Sequence, residues 1–170
     1  MDKFKQEFSS IYDKYIDKIY RFAFLKVNSK EIAEDITSDT FLKGWEAYQR
    51  AQGQIQNSQA FLYKIANNLI IDYYRIKGKT DIVSTENRKI PDPRINIEKR
   101  AKLSSDMDNI KIALANMNQD YQNVIIWHYL DGIEIKEIAQ LMDKSEQATR
   151  VLLHRALRSL KSQVNENKTA

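Results

Sequence analysis

Cysteine is absent from this chain of 170 residues, and proline, histidine and glycine are rare, with two, two and four copies. Without cysteine, disulfide bonds and cysteine-ligated zinc or iron–sulfur centres are excluded. Few prolines and glycines mean few interruptions of helical segments. No apolar run approaches the roughly 20 residues that span a bilayer, and the N-terminal segment MDKFKQEFSS has no apolar stretch typical of a signal peptide. We therefore expect a helical protein that works in the cytoplasm.

Charge of one sign is not in large excess either. Lysine and arginine number 27 against 23 aspartates and glutamates, which leaves a formal net charge of +4. Such a small excess is a weak indication of nucleic-acid binding, so the local distribution of charge has to decide. Hydrophobic residues make up 42% and charged residues 29% of the chain, which suits a folded protein rather than a disordered one.

The spacing of apolar residues divides the chain into three segments. Residues 1–78 carry runs with helical periodicity. Residues 79–102 contain both prolines, Pro91 and Pro93, and show no sustained period, which predicts a linker. Residues 103–164 again carry helical runs. We predict an all-α protein in which two small helical domains are joined by a flexible linker.

The end of the third segment has the sequence form of a helix-turn-helix. Residues 133–142 show an amphipathic pattern, and Asp143-Lys144-Ser145 interrupts it. Ser145 is a suitable N-cap for a longer helix over 146–161. The second helix of such a motif is normally presented to the major groove of DNA, so this segment predicts a DNA-binding protein.

The helix predicted over 146–161 has one inward stripe and a basic, polar remainder. Four positions at helical spacing are expected to pack inward: Thr149, Leu153, Ala156 and Leu160. Arginine can bridge guanine edges or bind phosphates, and glutamine can pair with adenine. The candidate DNA contacts on this helix and its cap are Ser145, Gln147, Arg150, Val151, His154 and Arg155. An ordinary solvated cationic face is the alternative, and the preceding helix and turn favour DNA binding.

A second candidate nucleic-acid site lies in the first segment. Between residues 61 and 75, aromatic rings, amides and cations alternate over successive turns, which is typical of surfaces that bind single strands. Four apolar residues are expected to be core: Phe61, Leu62, Ile65 and Leu69. Five others are harder to explain as core and are expected to contact nucleic acid: Tyr63, Lys64, Asn67, Asn68 and Arg75.

Acidic residues gather on the predicted second helix. Asp35 and Asp39 are one turn apart, so they share a face suited to docking on a basic partner. No nucleophile, histidine or glycine-rich phosphate loop accompanies a carboxylate pair, so an enzyme site is not supported. His128 and His154 do not have the spacing of paired metal ligands. We therefore expect no metal and no cofactor.

Several motifs together resemble the extracytoplasmic-function (ECF) sigma factors, which are small sigma subunits of bacterial RNA polymerase in the sigma-70 family. The residues similar to region 2 of that family are Ala33-Glu34-Asp35-Ile36, Thr40-Phe41-Leu42-Lys43-Gly44-Trp45, 61–69 and Asp72-Tyr73. The residues similar to region 4 are 121–129, Asp131-Gly132, Glu137-Ile138-Ala139 and Leu153-His154-Arg155-Ala156. The matches follow the order and spacing of the family and cover most of the chain.

The resemblance implies a function and partners that composition cannot give. It implies binding to core RNA polymerase and promoter-specific initiation of transcription, with no catalysis by the chain itself. The residues it assigns to the clamp helices of the largest polymerase subunit are Asp35, Ser38 and Asp39. It assigns the first helices of region 4 to the polymerase flap, and it allows an anti-sigma factor as a further partner.

The same resemblance assigns two promoter contacts. The loop 52–58 and the helix that follows it match the part of the family that captures the melted −10 element, with Tyr63, Lys64, Asn67, Asn68 and Arg75. The helix-turn-helix matches the part that reads the −35 element in duplex DNA, with Ser145, Gln147, Arg150, Val151, His154 and Arg155.

Two stretches depart from the usual residues of the family. Ser38 and Asp39 stand where Gln-Glu is usual, so we expect an altered contact with polymerase. In the recognition helix, Arg150 keeps one of the usual cations, but Leu152 stands at the position of another. We therefore expect an unusual −35 preference.

Two other functions compete with a sigma factor on the residues alone. A stand-alone helix-turn-helix regulator would bind a duplex operator without polymerase, but it leaves the acidic face and the aromatic-amide helix without a role. A nucleic-acid enzyme would need a metal or nucleophile constellation, and the sequence offers none.

Overall fold

In the computed structural model, residues 2–81 and 107–169 are described, and every regular element within these two ranges is helical. The elements in chain order are α1 (Asp2–Val27), α2 (Lys30–Arg50), α3 (Ser58–Asp81), α4 (107–115), α5 (Gln119–Ile125), a π-helical turn (Ile126–Leu130), α6 (Ile135–Met142) and α7 (Glu146–Thr169). The predicted all-α fold class is confirmed. Among the described helices, none combines the length and the apolarity needed to cross a membrane.

Internal contacts divide the chain into two compact units, Met1–Arg75 and Ile76–Ala170. Of the linker predicted at 79–102, residues 82–102 lie outside the described residues, and 79–81 belong to the end of α3. α7 continues past 161, where the recognition helix was predicted to end, because neither proline nor glycine follows Ser145.

Short polar side chains set the ends of the helices in the first unit. Asn28 ends α1 in a left-handed conformation (φ 53°) that asparagine tolerates better than most residues. The Ser29 hydroxyl accepts a hydrogen bond from the Ile32 N–H at 3.4 Å and caps α2. Asn57 does the same for α3, because its Oδ1 accepts a hydrogen bond from the Ala60 N–H at 3.0 Å.

The helices of the first unit enclose a core rich in aromatic rings. Phe22 of α1 is fully buried and packs edge-on against the Tyr63 ring of α3, with ring centroids 5.2 Å apart. Gly44 lets α2 approach closely, since a Cβ there would lie 3.2 Å from Leu62 Cδ2. Three rings of α2 pack around Phe8 of α1: Phe41, Trp45 and Tyr48. The contacts that Leu62 and Tyr63 make with α2 and α1 determine which face of α3 points to solvent.

The second unit is organised around α5, the π-helical turn and α7. Its buried side chains include Leu114, Val124, Trp127, Ile138, Ala139 and Ala156. The buried Gln122 amide donates a hydrogen bond to the Leu114 carbonyl at 2.9 Å and ties α5 to α4. After the π-helical turn, Gly132 (φ 68°) redirects the chain, and His128 Nδ1 lies 3.0 Å from the Ile133 carbonyl oxygen. These contacts set the direction in which α6 begins.

Candidate nucleic-acid interface

The turn between α6 and α7 has the tight geometry that the sequence predicts. Asp143 adopts φ 54° and ψ 48°, a left-handed conformation that aspartate visits more readily than most residues. The Lys144 N–H donates a hydrogen bond to the Ala139 carbonyl at 2.9 Å, which satisfies one of the terminal carbonyls of α6. The chain therefore stops α6 and starts α7 within three residues.

Ser145 caps α7, as the sequence predicts. Its hydroxyl accepts a hydrogen bond from the Ala148 N–H at 3.1 Å. Its carbonyl accepts a hydrogen bond from the Thr149 hydroxyl at 2.8 Å, and Thr149 is fully buried. Side-chain and backbone groups of Ser145 thus fix the first turn of the recognition helix.

The inward and outward faces of α7 separate as the spacing predicts. Thr149, Leu153 and Ala156 are buried, and Leu160 is half-buried. All the side chains expected to contact duplex DNA are exposed: Ser145, Gln147, Arg150, Val151, His154 and Arg155. Arg150 also lies 4.0 Å from the Glu146 carboxylate, a solvent-exposed pair that leaves the guanidinium accessible.

α3 carries a polar face, although not every candidate residue lies on it. Lys64, Asn68 and Arg75 are exposed, and their spacing places them on one side of the helix. Asn67 is half-buried at the border of this face. Arg75 donates to Asp72 at 3.0 Å in an exposed pair. We refer to Lys64, Asn67, Asn68 and Arg75 as the strand face.

The prediction that Tyr63 lies outside the core is wrong. Its side chain is 0% exposed and packs against Phe22. The helical position of Tyr63 matches that of Ala66 and Ile70, which are also buried. Its ring therefore supports α3 from inside and cannot stack on a nucleobase at the surface.

A groove between α2 and α3 brings in cations that were missed in the sequence. The groove has a volume of about 420 Å³ and is lined by Lys43, Glu46, Ala47, Arg50, Phe61, Ile65, Asn68, Leu69 and Asp72. Lys43 and Arg50 are seven residues apart, so the spacing on α2 could have indicated that they share a face. With Asn68 on the opposite wall, they extend the polar surface of α3 onto α2.

The docking candidates on α2 lie next to an exposed apolar residue. Asp35, Ser38 and Asp39 are all exposed. Leu42 lies on the same face by helical spacing and is 57% exposed. An exposed apolar side chain with acidic neighbours is typical of a protein-docking surface, because interfaces combine an apolar centre with a polar rim. We call these four residues the acidic patch.

The residues that the structure describes include no cluster of side chains that could hold a metal ion. No three histidines, cysteines, aspartates or glutamates in 2–81 and 107–169 come together as possible ligands of one ion. The arrangement instead offers polar, cationic and apolar surfaces on rigid helices. These features define a helical protein with a helix-turn-helix in its second unit.

Two family models match this chain in succession. The sigma-70 region 2 model matches residues 11–80, and the sigma-70 region 4 model matches residues 108–160. BldN of Streptomyces coelicolor, an ECF RNA polymerase sigma factor, is 29% identical over 158 residues, which cover 90% of this chain and 58% of BldN. The ECF sigma factor SigX of Bacillus subtilis is 25% identical over 162 residues, which cover 92% of this chain and 83% of SigX.

Solved structures share the fold. The sigma factor RpoE from Bartonella quintana, crystallised with the anti-sigma factor NepR, matches with a TM-score of 0.71 at 20% identity, covering 97% of this chain and 98% of that one. CnrH, solved with the cytosolic domain of CnrY, matches with a TM-score of 0.70 at 18% identity, and the match covers 95% of this chain and 90% of CnrH.

The region 2 and region 4 models and the ECF relatives agree on one family. The chain belongs to the sigma-70 family and is a sigma factor of the ECF type.

Proposed function

We propose that this sigma factor binds core RNA polymerase in the cytoplasm, directs it to −35 and −10 elements and helps to open the duplex, without catalysing a reaction itself. The observation that carries the proposal is the succession of region 2 and region 4 in one chain, with the expected contact residues largely on exposed helix faces. The division of roles assigns residues 1–78 to polymerase and the −10 element, and residues 103–164 to the −35 element.

α7 is the element that we assign to the −35 duplex. Its outward face combines guanidinium groups at Arg150 and Arg155 with the Gln147 amide. Arginine pairs with guanine or phosphate, and glutamine pairs with adenine. Val151 is 43% exposed between them and offers an apolar contact for a thymine methyl group. Arg158, also exposed, extends the cationic surface along the helix.

The strand face of α3 is the part that we assign to the melted −10 strand. Because Tyr63 is buried, recognition there relies on amides and cations rather than on stacking by that ring. Ile71 is 43% exposed within the same face and supplies an apolar contact. Lys43 and Arg50 across the groove are placed to attract the phosphates of a strand that follows α3.

The acidic patch is the surface that we assign to core polymerase. Asp35 and Asp39 give it a negative charge, which favours a basic partner surface and speeds encounter. Leu42 supplies apolar area at its C-terminal end. Ser38 carries a short hydroxyl group where the family usually carries the longer amide of glutamine, so its contribution is limited to one hydroxyl.

An anti-sigma factor is a further partner that we propose for this chain. The solved structures of RpoE and CnrH that share its fold contain such a protein or a cytosolic protein domain as partner. A partner of this kind would compete with core polymerase for binding to the chain. A competition assay would measure how far the partner lowers the binding of the chain to core polymerase.

The test is a selection of promoter sequences with and without core polymerase. The purified chain is mixed with core polymerase and a library of DNA forks, each with a random duplex part and a random single-stranded part. We expect two sequence elements at a constant spacing to be enriched only when both proteins are present. Enrichment of one duplex site by the chain alone would instead support a stand-alone regulator, and failure to bind core polymerase would refute the proposal.

A further inference from the structure

Lys26 carries an ammonium group inside the first unit. It lies in the last turn of α1 and is only 1% exposed. Lysine is almost never buried to this extent without partners, because removing an ammonium from water is costly. The burial therefore indicates that specific contacts hold this side chain in place.

The Lys26 side chain contacts α3 and a ring of its own helix, α1. Its Nζ donates a hydrogen bond to Asn67 Oδ1 at 2.9 Å. The same atom lies 4.9 Å from the centroid of the Phe22 ring, where the electron-rich face attracts a cation. The C-terminal end of α1 also favours a positive charge, because the last carbonyls of a helix carry partial negative charge.

The backbone of Lys26 contacts α3 as well. The Tyr74 hydroxyl donates a hydrogen bond to the Lys26 carbonyl oxygen, which is one of the terminal carbonyls of α1. Asn67 and Tyr74 are seven residues apart, about two helical turns, so they lie on the same side of α3. Lys26 thus fastens two points of α3 to the end of α1.

Asn67 stands where the buried side of α3 meets the strand face. It is half-buried, whereas Lys64 and Asn68 on the strand face are exposed. An amide whose oxygen is bound to a fixed cation has its plane and its orientation set before DNA arrives. Such preorganisation strengthens binding because less side-chain freedom is lost when the ligand binds.

We propose that Lys26 is a positioning residue for strand recognition: its buried ammonium fixes the Asn67 amide at the edge of the strand face. This inference rests on the proposed −10 function of that face. Lys26 does not touch DNA in this arrangement, and its effect passes through Asn67.

A double-mutant cycle tests the inference with the full chain bound to core polymerase. The probe is a forked DNA with the sequence that the wild-type holoenzyme selects, and the readout is its dissociation constant. Lys26→Met keeps most of the apolar stem and removes the donor, and we expect about three- to tenfold weaker binding. In the Asn67→Ala background, the same substitution is expected to change binding less than about twofold.

A matched control and two further readouts separate positioning from general stability. Lys14→Met removes an exposed lysine from the same helix and is expected to leave fork binding unchanged. Core affinity and binding to the −35 duplex should be unaffected by Lys26→Met. If Lys26→Met fails to bind core, Lys26→Gln, which keeps a polar but shorter end, replaces it in the cycle.

The outcomes distinguish this inference from the proposed function. If the wild-type holoenzyme selects no sequence in the single-stranded part, the −10 assignment itself fails. If it selects one but Lys26→Met weakens binding equally with and without Asn67→Ala, Lys26 acts through the fold and the positioning role is refuted. Weakening that is confined to chains with Asn67 supports it.

Discussion

Arg155→Ala is the sharpest test of how α7 meets DNA. Arg155 is exposed and lies on the outer side of a helix whose opposite stripe is buried. Alanine is also a better helix former than arginine. The substitution should therefore change the free energy of unfolding by less than about 0.5 kcal/mol. Any loss of promoter binding then reports a lost contact with DNA rather than a damaged fold.

The size of the loss follows from the kind of contact. A guanidinium that pairs with a base edge contributes about 1–3 kcal/mol of discrimination, which corresponds to about 5- to 150-fold in affinity. A guanidinium that only neutralises a phosphate weakens all sequences similarly and lowers the salt dependence by about 0.9 in the slope of log K against log salt concentration. Measuring both quantities assigns the contact to a base or to a phosphate.

The assay is holoenzyme binding to a duplex with the selected −35 element and to a scrambled duplex, each at several salt concentrations. Lys14→Ala is the control, because it removes one exposed cation from α1, to which no contact with the −35 duplex or with polymerase is assigned. We expect Arg155→Ala to lower −35-dependent transcription and to leave core affinity intact. If Arg155→Ala changes neither the affinity of the holoenzyme for the −35 duplex nor the salt dependence of that affinity, the assignment of α7 to the −35 element is refuted. If it weakens binding to core polymerase as much as binding to the duplex, Arg155 is not a contact for DNA alone.

Three further outcomes test the cap, the acidic patch and a buried hydroxyl. Ser145→Ala should lower the stability of the second unit by about 1 kcal/mol through loss of the cap, measured by thermal unfolding against the exposed control Ser162→Ala; equal melting temperatures would contradict this. Asp39→Lys should weaken core binding at least about tenfold with an unaltered circular dichroism spectrum, and an unaltered affinity would remove Asp39 from the interface. The hydrogen bond from Tyr48 to Glu7 raises the pKa of Tyr48 from 10 to about 12, so the stabilisation it gives is present below pH 10 and lost as the pH rises towards 12. Tyr48→Phe should therefore make the fall of the unfolding free energy between pH 10 and 12 shallower. An identical dependence of the unfolding free energy on pH, measured by urea unfolding at each pH, would count against it.

Local periodicity predicted α7 well and α3 only in part. The inward stripe of α7 follows from steps of three and four residues, which depend on the helix alone. α3 contacts both α1 and α2, so a wider arc of its surface is buried than its apolar residues suggest. Tyr63 falls within that arc, and its polar hydroxyl made it look like a surface residue.

Contacts between distant residues explain what the sequence could not predict. The burial of Lys26 depends on Asn67, 41 positions later in the chain, and a lysine by itself indicates an exposed side chain. The groove between α2 and α3 likewise depends on how two helices pack. Leu42 was different, since its position one turn after Ser38 and Asp39 could have marked it from the sequence.

The two tryptophans of the chain fall one in each unit, Trp45 in the first and Trp127 in the second. Trp45 is half-buried against Phe8 and Tyr48, whereas Trp127 is 2% exposed in the core of its unit. Each unit therefore contains one tryptophan fluorophore, in a different environment. Replacing either tryptophan with phenylalanine leaves a chain whose tryptophan emission follows the unfolding of a single unit, so the stabilities of the two units can be separated without cutting the polypeptide.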